Sequence, residues 1–564
     1  MAGLVDLTVT NKKAPLWSFF VFCLWLPFQA MAEQDCCAVV SAHPLASEAG
    51  MQTLRQGGNA FDAAVTVSAV LAVVEPYSSG MGGGGFWLLN RRADNLYIMI
   101  DGRERAPLDA EADMYLDAAG EVIPGLSIDG ALAAGIPGQP AALVHIAERY
   151  GNLPLSVSLQ PAIQIAQDGF EVNEYYRKMA GMRLQALRKS PAAAAIFLAN
   201  SELPPVGALI VQPDLAETLK QIAAKGHDGF YAGPVADKLI AAVRANGGIW
   251  QQRDLQEYRV KERLPIRFKY ADMHIISAAL PSSGGMVLAH ILNLLSWFDW
   301  QELNVLQRKH LLIEAMRIAY RMRAEYLGDR DYVRVPYSEL MDRVQLKRKA
   351  RAISLEAATP SVKAPVADYP EGRDTTHFSI IDTEGNKVSA TLSINYPFGS
   401  GFVAAGTGVL LNDEMDDFSA KPGVANVYGL VGSRANAIEG GKRMLSSMTP
   451  TFIETDDFEA VIGTPGGSRI ISMVLLGILN MQDSDDPQQW VDAARFHHQY
   501  LPDRVEYEPG AFSEDELQQL QLMGHELQLK ADGYGNMQAL RRDRKTGKIR
   551  AGSDKRGFGA AVID

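Results

Sequence analysis

The sequence predicts an α+β fold, because helical and strand-like patterns dominate different parts of the chain. Ser47–Gly57 and Phe61–Val74 have helical patterns, and helical patterns also dominate residues 130–350. Strand patterns dominate Thr376–Leu411, and a glycine-rich run leads into a further strand at Phe86–Leu89. We interpret this run as a tight turn packed in the core, since no phosphate-loop or dinucleotide-binding spacing accompanies it.

Length and composition narrow the class of protein. The chain has 564 residues, of which 47% are hydrophobic and 21% charged, as in ordinary globular proteins with a large core. Its formal net charge is −12 and it has no long basic run, which excludes nucleic-acid binding through a basic face. Besides Cys23, the chain has adjacent cysteines, Cys36 and Cys37, a spacing unfavourable for a mutual disulfide. The sequence assigns neither a role.

Residues 1–32 have the pattern of a secretory signal peptide. Two lysines precede an apolar run, Leu16–Phe28, and Ala30 and Ala32 supply small residues before a cleavage point at Glu33. The alternative is an uncleaved anchor, but the run is short for a membrane span. We therefore expect an exported protein, periplasmic or secreted, with no membrane span after signal removal.

A predicted hairpin brings two hydroxyl groups together. The strand candidates Thr376–Ile381 and Lys387–Asn395 flank a turn rich in Asp, Gly and Asn. If the turn centres on Glu384, Thr375 lies opposite Ser393. Directly opposed residues have Cβ atoms about 5 Å apart, so the two hydroxyls can hydrogen-bond.

Thr375 lies where a linker enters this hairpin. Ser354–Arg373 is rich in Ala, Pro and charged residues and has no periodicity, which predicts an exposed segment. Cutting the chain before Thr375 would release an α-amine with a pKa near 8, able to take the proton from the same residue's hydroxyl. The alternative is that Thr375 and Thr376 are only favourable strand residues.

Several motifs, in order along the chain, resemble the gamma-glutamyltranspeptidase family. They are Thr375–Ser379, Gly408–Ser419, Lys442–Pro450 and Gly463–Arg469, with earlier matches at Gly57–Ala64, Gly82–Phe86 and Asp101–Glu104. The resemblance implies an N-terminal-nucleophile hydrolase with a four-layer αββα sandwich. It also implies a precursor that cuts itself between Asp374 and Thr375, giving a large subunit, 33–374, and a small subunit, 375–564, that stay together as a heterodimer.

The resemblance implies roles for the matching positions. Thr375 would attack the gamma-carbonyl of a gamma-glutamyl amide and form an acyl-enzyme, and Ser393 would support this nucleophile. Gly466 and Gly467 would donate backbone N–H groups to the oxyanion, and Tyr428 would belong to a lid loop at residues 421–438. The substrate α-carboxylate would bind Arg103, Ser446 and Ser447, and the α-ammonium would bind Asn395, Glu414 and Asp417.

Some positions depart from the family pattern. Met444 replaces a frequent proline, Thr449 replaces a serine, Ser393 a threonine and Glu414 a glutamine of some members. None of these changes removes a catalytic group, but Met444 leaves the geometry of the serine pair open. His377 is interpreted as structural, because the mechanism has no role for it.

The implied activity is hydrolysis and transpeptidation of glutathione and other gamma-glutamyl compounds, with water, an amino acid or a dipeptide as acceptor. No cofactor or metal is implied, and His497 and His498 are adjacent rather than at a zinc-ligand spacing. One alternative is a glutaryl-cephalosporin acylase of the same fold. Another is a non-catalytic exported scaffold, which an intact chain would favour.

Overall fold

The computed structural model describes residues 36–361 and 374–564. The predicted signal peptide and most of the predicted linker, residues 362–373, lie outside the described residues. The first part of the linker, 354–361, has no helix or strand and no buried residue, as predicted. Within the described ranges, no helix combines the length and the apolar character needed to cross a bilayer.

The strands are spread over the whole described chain. They are β1 Ala38–Ser41, β2 Gly84–Arg91, β3 Leu96–Gly102, β4 Phe170–Glu171, β5 Leu209–Ile210, β6 Lys261–Arg263, β7 Ile266–Tyr270, β8 Met273–Ser277, β9 Thr376–Ile381, β10 Lys387–Ser393, β11 Val403–Ala404, β12 Val409–Leu410, β13 Thr451–Glu454, β14 Phe458–Gly463, β15 Phe496–His497, β16 Val505–Tyr507, β17 Leu527–Leu529, β18 Gln538–Asp543, β19 Ile549–Ser553 and β20 Ala560–Ile563.

Most helices precede residue 352. They are α1 Pro44–Arg55, α2 Ala60–Val74, α3 Gln139–Tyr150, α4 Leu155–Asp168, α5 Glu174–Lys189, α6 Pro191–Phe197, α7 Pro213–Lys225, α8 Asp228–Tyr231, α9 Gly233–Ala245, α10 Gln252–Gln256, α11 Gly284–Leu295, α12 Val305–Tyr326, α13 Tyr337–Leu340, α14 Arg343–Arg351, α15 Ile470–Asn480, α16 Pro487–Asp492 and α17 Glu514–Leu522. The helices predicted near residues 47–57 and 61–74 are confirmed as α1 and α2.

Two large antiparallel sheets form the centre of the molecule. The first has seven strands in the order β20-β1-β9-β10-β2-β3-β6, and the second has six in the order β19-β18-β14-β13-β8-β7. In the first sheet β1 pairs with β20 on one side and with β9 on the other. Strands that precede Thr375 and strands that follow it therefore pair within one sheet.

Side-chain alternation assigns the faces of the first sheet. Val39 and Trp87 point into an apolar core shared with α2 and α3, whereas Val40 and Phe86 point into a second core shared with the other sheet. That second core also contains α11, α12 and α15. The order of layers is helix, sheet, sheet, helix, which confirms the predicted αββα sandwich.

The predicted hairpin is present in the predicted register. Lys387 pairs with Ile381 and Leu392 with Thr376, so the next pair outward is Thr375 and Ser393. One boundary was wrong: β10 ends at Ser393, because Asn395 has a left-handed backbone with φ of 72°. Asn395 therefore does not continue the strand.

The glycine run before β2 is confirmed as a packed turn. A Cβ on Gly83 would lie 2.1 Å from the carbonyl oxygen of Ser393, and a Cβ on Gly82 would lie 2.0 Å from that of Leu410. Only glycine permits backbones to approach this closely. The turn thus packs directly against the end of β10, where the predicted site begins.

Candidate functional site

The hydroxyl groups of Thr375 and Ser393 form the centre of the site. Thr375 Oγ1 and Ser393 Oγ lie 3.0 Å apart, a hydrogen-bond distance, and both residues are buried. Ser393 Oγ also accepts the backbone N–H of Asn395 at 2.8 Å. With that donor fixed, the Ser393 hydroxyl can donate its own proton to Thr375 or accept the proton of Thr375.

The backbone at Thr375 is strained. Its φ is 83°, a left-handed conformation that β-branched residues rarely adopt and that typically costs on the order of 1–3 kcal/mol. The preceding residue, Asp374, is fully buried, and its carboxylate accepts a 2.6 Å hydrogen bond from the phenol of Tyr428. Burial raises the pKa of Asp374 to about 7, although the Tyr428 bond opposes that rise.

Gly466 and Gly467 lie where β14 passes into α15. Their φ values are 132° and 57°, and a Cβ on Gly467 would lie 2.7 Å from the ring of Tyr428. No acceptor in the described part of the chain receives the N–H of either glycine. Two free N–H groups at the entrance to a helix suit a developing negative charge.

Arg103 is the most strongly paired cation of the site. Its side chain is completely buried and contacts the carboxylates of Glu414 and Asp417, with Glu104 3.6 Å away. Burial raises the pKa of Glu414, and the neighbouring charge of Glu104 raises it further. The groups predicted to bind opposite ends of a substrate are thus bound to one another here.

The serine pair is fixed through its backbone and its hydroxyls. Ser446 donates its N–H to the carbonyl oxygen of Pro281 at 2.9 Å, and its hydroxyl oxygen accepts the N–H of Met448 at 3.1 Å. The Ser447 hydroxyl oxygen accepts a 3.1 Å hydrogen bond from Arg323. Met444, a departure from the family pattern, is buried, and its carbonyl oxygen accepts from Arg103 at 3.4 Å.

These elements enclose one narrow pocket. Its lining contains Arg103, Thr375, Ser393, Asn395, Glu414, Asp417, Tyr428, Leu430, Ser446, Ser447, Met448, Gly467, Ser468 and Ile470. Its free volume is about 20 Å³, room for roughly one water molecule. A substrate therefore requires that the Tyr428 loop or the Arg103 ion pairs move.

Nearly every residue predicted for the site contributes to this pocket. Gly466 lies beside the lining rather than in it, and Asp374 contacts the pocket through Tyr428. The sequence reasoning missed Arg323 and the apolar residues Leu430 and Ile470. Arg323 is far from Ser447 along the chain, and no motif joins the two positions.

The histidines lie outside the pocket lining. His377 is buried between the sheets, where its Nδ1 lies 2.8 Å from the hydroxyl of Thr391, and burial lowers its pKa to about 3. His310, Glu314 and His525 have ligand atoms within 4.8 Å of one another, a spacing that a metal could use. Arg317, however, already pairs with Glu314 at 3.2 Å, which disfavours a second cation there.

Comparison with known proteins relates the chain to one family. The model of the gamma-glutamyltranspeptidase family matches residues 46–563. A glutathione hydrolase proenzyme from Pseudomonas sp. (strain A14) is 45% identical over 484 residues, which cover 85% of this chain and 84% of that protein.

Solved structures of an acylase and of a gamma-glutamyltranspeptidase are similar to this chain in fold. A cephalosporin acylase from Bacillus halodurans superposes with a TM-score of 0.82 at 27% identity, covering 94% of this chain and 96% of its own. A gamma-glutamyltranspeptidase chain from Helicobacter pylori superposes with a TM-score of 0.55 at 39% identity, covering 57% of this chain and 92% of its own.

Proposed function

Since this chain belongs to the gamma-glutamyltranspeptidase family, we propose that it is a self-cleaving enzyme whose Thr375 removes gamma-glutamyl groups from glutathione and related amides. The observation that carries the proposal is the 3.0 Å contact between the hydroxyls of Thr375 and Ser393 in a pocket lined by Arg103, Glu414 and Asp417. The proposed nucleophile and its supporting hydroxyl thus lie in the same pocket as the charged groups proposed to bind the substrate.

The first step is cleavage of the chain's own backbone. Thr375 Oγ1 attacks the carbonyl carbon of Asp374, the C–N bond breaks, and the amine of Thr375 takes the proton that the hydroxyl loses. Water then hydrolyses the ester, leaving residues 33–374 and 375–564 as two associated chains after removal of the signal peptide. The strained φ of Thr375 supports this step, because cleavage frees that torsion.

The second step uses the amine that cleavage exposes. This α-amine accepts the proton of Thr375 Oγ1 as the oxygen attacks the gamma-carbonyl of the donor. The N–H groups of Gly466 and Gly467 stabilise the oxyanion, and the amine returns the proton to the leaving group. Water or the amine of an amino acid or dipeptide then attacks the acyl-enzyme and releases glutamate or a new gamma-glutamyl compound.

Substrate recognition depends on exchanging ion pairs. The donor's α-ammonium replaces Arg103 as the partner of Glu414 and Asp417, with Asn395 as a further contact. Arg103 is then free to bind the α-carboxylate together with the serine pair. Both substrate charges meet buried partners, so a donor that lacks either one leaves a protein charge unpaired.

The acylase is the second candidate, because the Bacillus halodurans acylase has the same fold over nearly the whole chain. A glutaryl group lacks the α-ammonium, so it would leave Glu414 and Asp417 without a cation from the substrate.

We also propose that the protein is exported, to the periplasm or out of the cell. This part of the proposal rests on the signal-peptide pattern of residues 1–32.

One experiment tests the activity and separates the candidates. The purified protein is sequenced from its N-termini and assayed with gamma-glutamyl p-nitroanilide and glutaryl p-nitroanilide. We expect Thr375 as one N-terminus and a kcat/KM at least about 100-fold higher for the gamma-glutamyl donor. A preference for the glutaryl donor would establish the acylase, and an active chain still joined at residues 374–375 would refute the mechanism.

A further inference from the structure

Arg323 is a buried cation behind the pocket. It lies in the last turn of α12, with only 5% of its surface exposed. Its Nε donates to the hydroxyl of Ser283 at 2.9 Å, and its Nη2 donates to the hydroxyl of Ser447 at 3.1 Å. One turn earlier on the same helix, the hydroxyl of Tyr320 donates to the carbonyl oxygen of Ser468 at 2.5 Å. This helix therefore contacts two sides of the pocket.

The charge of Arg323 is not neutralised by an ion pair. Within residues 36–361 and 374–564, no carboxylate lies within 4.0 Å of its guanidinium nitrogens, whereas Arg103 has three such partners. Burial lowers the pKa of Arg323 and the charge of Arg103 lowers it further, whereas Tyr320 and the more distant carboxylate of Asp417 oppose that shift. A buried cation with no anion in direct contact is costly, so a site of this kind favours a ligand that brings a negative charge.

The contact with Arg323 determines the direction in which the Ser447 hydroxyl donates its proton. Because the Ser447 oxygen accepts from the guanidinium, its own proton must point to another acceptor. Ser447 lines the pocket, and Arg323 does not. A hydroxyl that accepts from a cation is also the stronger donor.

Ser283 connects Arg323 to Ser446, the other member of the serine pair. While accepting from Arg323, its hydroxyl donates to the carbonyl oxygen of Ser446 at 2.7 Å, and its backbone N–H donates to that oxygen at 2.8 Å. Both serines of the pair are thus connected to one guanidinium.

We propose that Arg323 is a positioning residue for the donor's α-carboxylate: it orients Ser447 as a hydrogen-bond donor and supplies the positive charge that the carboxylate neutralises. This inference rests on the proposed function, because it requires a donor with an α-carboxylate. Arg103 also pairs with the carboxylates of Glu104, Glu414 and Asp417, whereas Arg323 has no carboxylate within 4.0 Å among the described residues.

The test compares two donors in mature enzyme. Gamma-glutamyl p-nitroanilide has the α-carboxylate, and 4-aminobutanoyl p-nitroanilide keeps the α-ammonium but lacks the carboxylate. Arg323→Gln should raise KM for the gamma-glutamyl donor at least tenfold with kcat changed less than threefold. The preference for that donor, as a ratio of kcat/KM values, should fall at least tenfold, and Arg323→Lys should recover part of it.

The matched control is Arg321→Gln, an exposed arginine on the same helix that pairs with Glu325 at 2.7 Å. This substitution should leave KM and kcat unchanged for both donors. An equal loss of kcat/KM for both donors in Arg323→Gln would overturn the proposal and leave Arg323 a structural residue. Wild-type enzyme that cleaves no gamma-glutamyl donor would instead overturn the proposed function.

A double-mutant cycle keeps the proposal testable if Arg323→Gln does not fold. Arg323→Lys retains the charge but cannot keep both hydrogen bonds. If Arg323 acts through Ser447, the effect of Arg323→Lys on KM should shrink at least threefold in a Ser447→Ala background. Fully additive effects of the two substitutions would contradict that route.

Discussion

The phenol of Tyr428 donates a 2.6 Å hydrogen bond to the carboxylate of Asp374, and its oxygen also lies 3.0 Å from the carbonyl oxygen of Asn395. The loop that we propose as a lid is therefore attached to the residue just before the proposed cleavage point. In the uncut chain, this contact closes the narrow pocket over Thr375. Release of residue 374 after cleavage would free Tyr428 to contact a donor.

The buried Asp374 carboxyl gives the uncut chain a specific pH dependence. Burial raises its pKa to about 7 in the folded protein, against 3.8 for an aspartate exposed to water. Between these values the folded state binds the proton and the unfolded state does not, so stability falls as pH rises from about 4 to about 7. The fall contributed by this group should be at most about 4 kcal/mol.

The measurement uses an uncleavable background. The urea midpoint of Thr375→Ala should fall across this pH range more steeply than that of Thr375→Ala/Asp374→Asn. Adding Tyr428→Phe to Thr375→Ala should steepen the fall, because it removes the bond that stabilises the carboxylate. Parallel profiles for all three proteins would show that Asp374 is not protonated in the folded chain.

Thr375 should be required for maturation and for turnover. Thr375→Ala has no hydroxyl, so it should remain a single inactive chain on a denaturing gel. Thr375→Ser retains a hydroxyl and should still be cut, with serine at the new N-terminus. Cleavage of Thr375→Ala at this bond would assign the nucleophile elsewhere.

Ser393 should affect rate more than stability. Ser393→Ala removes the hydroxyl 3.0 Å from Thr375 and should slow both self-cleavage and turnover at least about tenfold. Ser393→Thr keeps the hydroxyl and should retain most of the rate. The control is Ser389→Ala, on the same buried strand, whose hydroxyl contacts the carbonyl oxygen of Ile462. Equal rate losses in the two alanine variants would indicate a general effect on the strand.

Substitution of Arg103 should affect the stability of the protein as well as donor binding. If Arg103 only binds the donor's α-carboxylate, as the family resemblance implies, its loss should weaken donor binding and leave self-cleavage unaffected. Arg103, however, is buried among Glu104, Glu414 and Asp417, so Arg103→Ala leaves carboxylates without their cation and should cost about 3–5 kcal/mol of stability. Arg103→Lys keeps a charge and should mature, with KM raised at least about tenfold. Thermal melting and donor kinetics measure the two effects, and an Arg103→Ala protein as stable as wild type would contradict the ion-pair argument.

Much of the site could be predicted from the sequence because it depends on local rules. The hairpin register follows from the turn and the alternation of apolar residues, and it places Thr375 next to Ser393. The family motifs then supply the charged residues, which the fold brings to the same pocket.

The remaining features depend on contacts between distant segments. Nothing in the neighbourhood of Asp374 predicts that Tyr428 will bury its carboxylate. Asn395 leaves the predicted strand because its backbone turns left-handed at the end of β10. Arg323 could not be assigned, because its contact with Ser447 requires α12 to pack against a loop 124 residues later in the chain.

The pairing of β1 with β20 brings the two ends of the described chain side by side. The backbone N–H of Cys36 donates to the carbonyl oxygen of Asp564 at 2.6 Å. In return, the backbone N–H of Asp564 donates to the carbonyl oxygen of Cys37 at 3.0 Å. A rearranged gene could therefore begin at codon 375 and join residue 564 to residue 36 through a short peptide. Once the initiator methionine is removed, such a circular permutant would have the α-amine of Thr375 already free, as a single polypeptide that needs no self-cleavage.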